Sequence, residues 1–309
     1  MSDDFESTEV SALGRIEQLG HAATGRLYRG WADARRRTRG AGSAQPAIDV
    51  VGGADRSDID EWNRTTADHH DAYRESIEPS AGRVAIICSS NRPADMANVV
   101  ASVGAQSHED LEFVFVAHGD HWDIDAATQA CAALDDRLHR VQVLHRPTSM
   151  SLGACLNAAM EASDARFVAK FDSDDHYGPK YLADALRAHR YAGAGVVGKQ
   201  TYFGYLEATD QYLLRFPGRE FCYSATLAGG SLVIDRHIVA DQRFADLSIG
   251  EDQAFLRRCH RRGISVFAAD RFNYTIVRSG LNTWKIPNDD FVVDSIVFDK
   301  GWDPSQIER

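Results

Sequence analysis

Two groups of carboxylates stand out in this sequence, and they lie far apart along the chain. The first is Asp172, Asp174 and Asp175, directly after the apolar run at 166–171. Carboxylates this close repel one another unless a cation neutralises them, and oxygen ligands suit hard ions such as Mg²⁺ and Mn²⁺. The usual co-ligand of such an ion is a phosphate, so the group predicts a metal and phosphate site. An acidic loop that caps the next helix is the alternative.

The second group is Glu251 and Asp252, which precede an amphipathic segment predicted as a helix over 254–262. The positive end of the helix dipole stabilises a carboxylate at this position. Such a carboxylate suits a proton acceptor, and it equally suits an N-terminal cap. His176, beside the first group, is a further candidate ligand, with an ordinary surface histidine as the alternative.

Regularly alternating strand and helix signals surround these residues. Apolar runs predict strands at 84–88, 111–117, 141–144 and 166–171, each followed by a helical segment. The alternation is typical of right-handed β-α-β crossovers and predicts an α/β fold, a mainly parallel sheet flanked by helices. Ligands of such sheets bind beyond the carboxyl ends of the strands. The polar residues at 89–92, 118–120 and 172–175 follow three of these strands, so we expect them on one rim.

The later sequence predicts strands at 196–206, 211–216, 264–268 and 272–277. Gly229 and Gly230 interrupt the apolar segment 226–234, where missing side chains allow a ligand or another backbone to come close. Three segments follow for the whole chain: a helical N-terminal extension at 1–80, a main domain at 81–285 and a C-terminal tail at 286–309, in which 291–298 could form a short strand. The N-terminal helices, with an amphipathic pattern at 10–37, could join two copies as a homo-oligomer.

Composition excludes several classes of protein. The net charge of −11 argues against a nucleic-acid or anionic-membrane partner, which would require basic patches. The five cysteines are scattered without a CxxC pair, which is typical of reduced core residues in an intracellular protein. Neither a signal peptide nor a transmembrane segment is evident, so a cytoplasmic protein is expected.

Taken together, these motifs resemble the family 2 glycosyltransferases, which have the GT-A fold. The match covers about 83–285 and includes Ser89 to Pro93, Gly153, Asn157, Asp172 to Asp175, Pro179, Gly229, Gly230, Gly250 to Asp252 and Arg278 to Trp284. More narrowly, the runs RFPGRE, AGGSLV and GEDQAFL are similar to a bacterial branch found beside or fused to CgeB-like proteins.

The resemblance implies an inverting transfer of a sugar, expected to be a hexose, from a nucleotide-diphosphate sugar to a saccharide or glycoconjugate acceptor. Asp252 would be the general base, with Glu251 supporting it. Asp172 and Asp174 would hold a divalent ion, Mn²⁺ or Mg²⁺, with Asp175 as an alternative ligand. The residues implied to contact the nucleotide-sugar are Ser89, Asn91, Arg92, Gly153, Asn157, Lys170, Asp172, Ser173, Gly229, Gly230 and Arg278.

The sequence departs from the family pattern at two places. His118 and Asp120 stand where many members have an Asp pair that contacts the nucleotide base, and we expect either of them to replace it. Ser279 follows Arg278 where a histidine is frequent. Two other functions stay open: a non-catalytic nucleotide-sugar or carbohydrate binding protein of the same fold, and a nucleotidyltransferase. The latter usually has a glycine-rich basic loop after the first strand, which SSNRPADM lacks.

Overall fold

The computed structural model describes residues 67–68, 70–280, 282, 287–301 and 303–309. The predicted amphipathic segment at 10–37 and most of the proposed N-terminal extension lie outside these residues. Residues 70–76 are helical and pack on the main domain, where the buried ring of Tyr73 contacts Tyr191 and Phe221 edge-on. No helix in the described part is long and apolar enough to span a membrane.

Strands and helices alternate through the first half of the described chain. In order, these elements are β1 (Val84–Ser90), α1 (Met96–Ala105), β2 (Leu111–His118), α2 (Ile124–Cys131), β3 (Arg140–Arg146), α3 (Leu152–Glu161), β4 (Phe167–Phe171), β5 (His176–Tyr177) and α4 (Tyr181–Ala192). The four strands predicted here are all present, with bounds that differ by at most two residues.

Shorter strands dominate the second half. The elements are β6 (Val196–Gly198), β7 (Tyr202–Leu206), β8 (Gln211–Arg215), β9 (Cys222–Tyr223), β10 (Val233–Asp235), α5 (Arg236–Val239), α6 (Glu251–Arg261), β11 (Val266–Ala268), β12 (Tyr274–Arg278), α7 (Asn288–Phe291) and β13 (Ser295–Lys300). Helix α6 begins three residues earlier than predicted, so Glu251 and Asp252 form its first turn.

Two sheets organise these strands. The larger has the order β3-β2-β1-β4-β10-β6-β11-β9, and β1 to β4 are parallel as the sequence predicts. The smaller has the order β13-β8-β7-β12-β5 and is mostly antiparallel. The predicted α/β fold class is therefore confirmed.

The second sheet corrects two details. The run predicted as one strand over 196–206 is two strands in different sheets, because the chain leaves the large sheet after Gly198. The proposed C-terminal tail contributes β13, which pairs antiparallel with β8.

Apolar side chains cover both faces of the large sheet, in one cluster around Phe113 and Phe171 and another around Leu156 and Phe255. All five cysteines are free, and four of them are buried.

Candidate active site

Lys170 lies fully buried near the end of β4, between the two acidic groups. Its Nζ is 2.5 Å from Asp172 Oδ1 and 4.0 Å from Glu251 Oε1. Burial opposes the ammonium charge, but the nearby charges of Asp172, Glu251 and Asp252 outweigh it, so the pKa of Lys170 is raised. The lysine therefore stays charged. It links the tip of β4 to Glu251, which lies 81 residues further along the chain.

Asp174 is paired with a cation from the end of the first strand. Arg92 Nη2 lies 2.8 Å from its Oδ2, and Asn282 Nδ2 donates a 2.8 Å hydrogen bond to the same oxygen. Burial raises the pKa of Asp174, the charge of Asp172 adds to that effect, and Arg92 opposes it. The predicted metal ligand thus lies at the rim with negative charge that one guanidinium only partly offsets.

Asp175 is buried, unlike Asp172 and Asp174, which are partly exposed. Tyr274 donates its hydroxyl hydrogen to Oδ2 at 2.7 Å, and the backbone N–H of Val277 donates to Oδ1 at 3.3 Å. Burial, reinforced by the charges of Asp174 and Asp172, raises its pKa well above the ordinary value. Strand β12 therefore braces this carboxyl group, and both of its oxygens already have partners.

The turn at Gly229 and Gly230 brings the two acidic groups together. A Cβ at Gly230 would lie 2.8 Å from Asp172 Oδ2 and 2.7 Å from Asp175 Oδ2, and a Cβ at Gly229 would lie 1.7 Å from Asp252 Oδ2. Real Cβ atoms do not approach oxygen this closely, so both positions require glycine. The sequence predicts that a ligand or another backbone comes close to these glycines, and in the structure carboxylate side chains do so.

Tyr177 fixes this turn, although no motif in the sequence singles it out. Its hydroxyl accepts a hydrogen bond from the backbone N–H of Asp172 at 2.8 Å and donates one to the carbonyl of Gly230 at 2.7 Å. Its ring stacks on Phe171 with centroids 3.7 Å apart. One buried aromatic residue thus connects the tip of β4 to the glycine turn.

A polar network from α1 and the segment before it holds the loop after β4. Arg92 Nε and Ser173 Oγ both donate to Asp95 Oδ2, at 2.6 and 2.7 Å. Asn98 Nδ2 donates to the carbonyls of Ser173 and Asp175, each at 2.9 Å. Arg92 and Ser173 therefore lie at the rim as predicted from strand order, and Asp95 and Asn98 are additional positioning residues.

Gly153 and Asn157 support the segment that leads into α6. A Cβ at Gly153 would lie 1.7 Å from the carbonyl oxygen of Ala245, and its N–H donates to the carbonyl of Leu247 at 2.9 Å. Asn157 makes two hydrogen bonds to the backbone of Phe244, at 2.8 and 3.0 Å. These contacts hold the segment that leads into Glu251 and Asp252. Nucleotide-sugar contact by Gly153 and Asn157 stays a prediction.

The other predicted nucleotide contacts occupy the ends of β1 and β2. His118 Nε2 lies 2.9 Å from the carbonyl oxygen of Met150, and the exposed Asp120 accepts a 3.1 Å hydrogen bond from Thr148. Asn91 is exposed, and Ser89 is partly buried. They lie on the strand-end rim, and their contact with a nucleotide stays a prediction.

Arg278 ends β12 close to the acidic tip. Burial lowers its pKa, whereas the negative charge of Asp174 acts in the opposite direction. Its guanidinium carbon lies 5.0 Å from the ring centroid of Phe291. His176, the alternative ligand, instead pairs with Glu308 at 3.0 Å.

A separate buried group has the composition of a metal site. His70 Nε2 lies 3.7 Å from Asp184 and 3.3 Å from Asp270, and no other described trio of such ligands lies within 4.8 Å of one another. Arg74 pairs with Asp184 at 2.6 Å, and Lys199 pairs with Asp270 at 2.9 Å. Both carboxylates are therefore already neutralised, so this group is better suited to anchoring residues 70–76 than to holding a cation.

Residues 84–238, half of the 309-residue chain, match the model of glycosyl transferase family 2. The chain belongs to this family. Among solved structures it is similar to S. aureus TarS 1-349 in complex with UDP-GlcNAc, with a TM-score of 0.51 and 18% identity over 69% of this chain and 64% of that chain. This likeness agrees with the GT-A fold.

The mannosyltransferase PcManGT from Pyrobaculum calidifontis, in complex with GDP-Man and Mn²⁺, also matches. Its TM-score is 0.49 with 13% identity, over 74% of this chain and 68% of that chain. The present chain spans less than two thirds of the length of TarS 1-349. No curated protein matches it in sequence.

Proposed function

We propose that this family 2 protein transfers a sugar, expected to be a hexose, from a nucleotide-diphosphate sugar to an acceptor hydroxyl with inversion. The observation that carries the proposal is that Asp252 packs against Gly229 and Asp172 packs against the neighbouring Gly230. The buried Lys170 lies beside both acidic groups and limits their mutual repulsion. A binding module would require only one of these groups.

Asp252 is assigned as the general base. The acceptor oxygen attacks the anomeric carbon opposite the diphosphate, its proton moves to Asp252, and the bond between that carbon and the diphosphate oxygen breaks. Glu251 is buried, and burial raises its pKa while Lys170 opposes that effect. Glu251 therefore acts as a positioning residue for Lys170 and the start of α6.

The residues at the tip of β4 fit a divalent ion. Asp172 and Asp174 lie at the rim, whereas Asp175 is braced by β12. Burial raises the pKa of Asp174, Arg92 opposes this effect and the charge of Asp172 adds to it. Asp172 and Asp174 would hold Mn²⁺ or Mg²⁺. When bound, the ion acts as a Lewis acid that neutralises the departing diphosphate.

The finer assignments stay predictions of this proposal. They are a saccharide or glycoconjugate acceptor, a cytoplasmic location, a homo-oligomer formed through the N-terminal residues and the branch found with CgeB-like proteins. The alternative is a non-catalytic nucleotide-sugar or carbohydrate binding protein, which the second acidic group at Glu251 and Asp252 argues against.

The direct test incubates the full chain with a panel of nucleotide-sugars and Mn²⁺ and measures donor cleavage and donor affinity. Asp252→Asn should lower turnover about 10²-fold or more with donor affinity retained. Asp241→Asn, at an exposed aspartate, is the matched control. Undiminished turnover in Asp252→Asn would reject the base, and donor binding by wild type without any cleavage would favour the binding protein.

A further inference from the structure

Arg215 is buried at the end of β8 among aromatic rings. Its guanidinium carbon lies 4.0 Å from the ring centroid of Phe291, 4.7 Å from that of Phe216 and 5.8 Å from that of Tyr202. Within the described residues, Nε and Nη1 have no hydrogen-bond acceptor. A buried cation with unsatisfied donors is costly, so these two donors require an explanation.

Another buried arginine shows how this fold satisfies a purely structural guanidinium. Arg271 is fully buried and pairs with Glu220, whose two oxygens accept from Nε at 3.0 Å each, while Nη2 lies 2.5 Å from Oε2. Among the residues that the structure describes, no carboxylate accepts from Nε or Nη1 of Arg215 in this way. Asp294 attracts it from an exposed position without accepting a hydrogen bond from Nε or Nη1.

Arg215 and Arg278 flank the same aromatic side chain. The guanidinium carbon of Arg278 lies 5.0 Å from the Phe291 ring centroid, compared with 4.0 Å for that of Arg215. Burial lowers the pKa of Arg215, and the positive charge of Arg278 lowers it further. Arg278 in turn is attracted by Asp174. Two cations therefore lie against one ring, and one of them, Arg278, interacts with Asp174 at the acidic tip of β4.

We propose that Arg215, together with Arg278, binds a phosphate group of a substrate. Guanidinium groups bind phosphate through paired, charge-assisted hydrogen bonds, and a phosphate would supply the acceptors that Arg215 lacks. The buried Phe291 covers both guanidinium groups, so its ring moves aside when the anion enters. The phosphate belongs either to the donor's diphosphate or to a phosphorylated acceptor, and this choice of source rests on the proposed function.

The test measures pyrophosphate binding to the full chain by calorimetry in EDTA at low salt. Arg215→Met should weaken binding about tenfold or more, whereas Arg219→Met, at an exposed arginine four positions away, should not. Removing an unpaired buried charge should leave the melting temperature unchanged or higher. If Arg215→Met does not fold, Arg215→Lys replaces it and should also bind pyrophosphate more weakly, because lysine cannot make the paired contact.

Competition then identifies the source of the phosphate. Displacement of pyrophosphate by UDP or GDP indicates the donor's diphosphate, and displacement by glycerol phosphate alone indicates an acceptor phosphate. Equal pyrophosphate affinity in wild type and Arg215→Met would overturn the proposal, as would displacement by neither competitor. Since this binding requires no turnover, it can succeed or fail independently of the transferase test with Asp252→Asn.

Discussion

Asp252 packs its carboxylate against the backbone of Gly229, so closely that a Cβ at Gly229 would lie 1.7 Å from Oδ2. Gly229→Ala must therefore displace the proposed base. We expect a loss of turnover of about 10²-fold, with donor affinity close to that of wild type, measured by donor cleavage and calorimetry.

A second glycine provides the control for this variant. Gly104→Ala lies in α1, where the new Cβ would meet only the end of the Leu134 side chain at 3.3 Å. It should retain full activity. Wild-type turnover in Gly229→Ala would show that the position of Asp252 does not matter for the reaction.

Removing the hydroxyl of Tyr177 should loosen the active-site turn. Tyr177→Phe keeps the stack on Phe171 but leaves the N–H of Asp172 and the carbonyl of Gly230 without their shared partner. We expect the free energy of unfolding to fall by about 1–3 kcal/mol, measured by urea titration, together with lower turnover. Tyr205→Phe removes a hydroxyl that bonds the exposed side chain of Asp210 and should change stability by less than about 0.5 kcal/mol. Equal effects of the two variants would contradict this role.

Asp174 should couple donor binding to the divalent ion. Asp174→Asn keeps the shape of the side chain but removes the charge that a metal requires. Donor affinity in Mn²⁺ should fall about tenfold or more, whereas in EDTA the variant and wild type should differ little. Asp164→Asn, an exposed change away from the rim, serves as the control. An affinity loss of the same size with and without metal would argue that Asp174 serves only as the partner of Arg92.

Stability should decrease in mild acid because of His189. Its imidazole is buried between the carbonyl oxygens of Ala194 and Val233, and burial lowers its pKa to about 4. The unfolded chain binds a proton near pH 6.5 and the folded chain only near pH 4, so stability is lost as pH falls through that window. Between pH 7 and pH 5, this effect of His189 should lower the free energy of unfolding by roughly 2 kcal/mol.

Urea titrations at these two pH values measure the effect. His189→Gln should show a smaller decrease than wild type, and His139→Gln, at an exposed histidine, should show the same decrease as wild type. If all three proteins lose the same stability, other groups dominate the acid response.

The parallel half of the fold was predictable because each of its strands is a mostly apolar run followed by a helical segment. The convergence of Arg92, Ser173 and Asp174 on one rim followed from strand order alone. The second sheet was not predictable in this way. Its strands come from distant segments, and their pairing depends on three-dimensional register, which local periodicity does not encode.

The partners of the acidic residues were also beyond the sequence reasoning. The resemblance offered Asp175 as an alternative metal ligand, yet Tyr274, from β12, donates a hydrogen bond to its Oδ2. Tyr177 follows the acidic loop by two residues, and a buried aromatic at that spacing is the signal that could have revealed it. Arg215 opens the run RFPGRE, but its contacts with Phe291 and Tyr202 come from other strands and helices, so the sequence could not reveal them.

The smaller sheet has a consequence for biosynthesis. Asp175 leaves the ribosome well before Tyr274, which is 99 residues further on, and the edge strand β13 emerges later still. A nascent chain can therefore complete β1 to β4 early, while Asp175 still lacks its partners from β12. The proposed active-site geometry must then form among the last steps in the maturation of this protein.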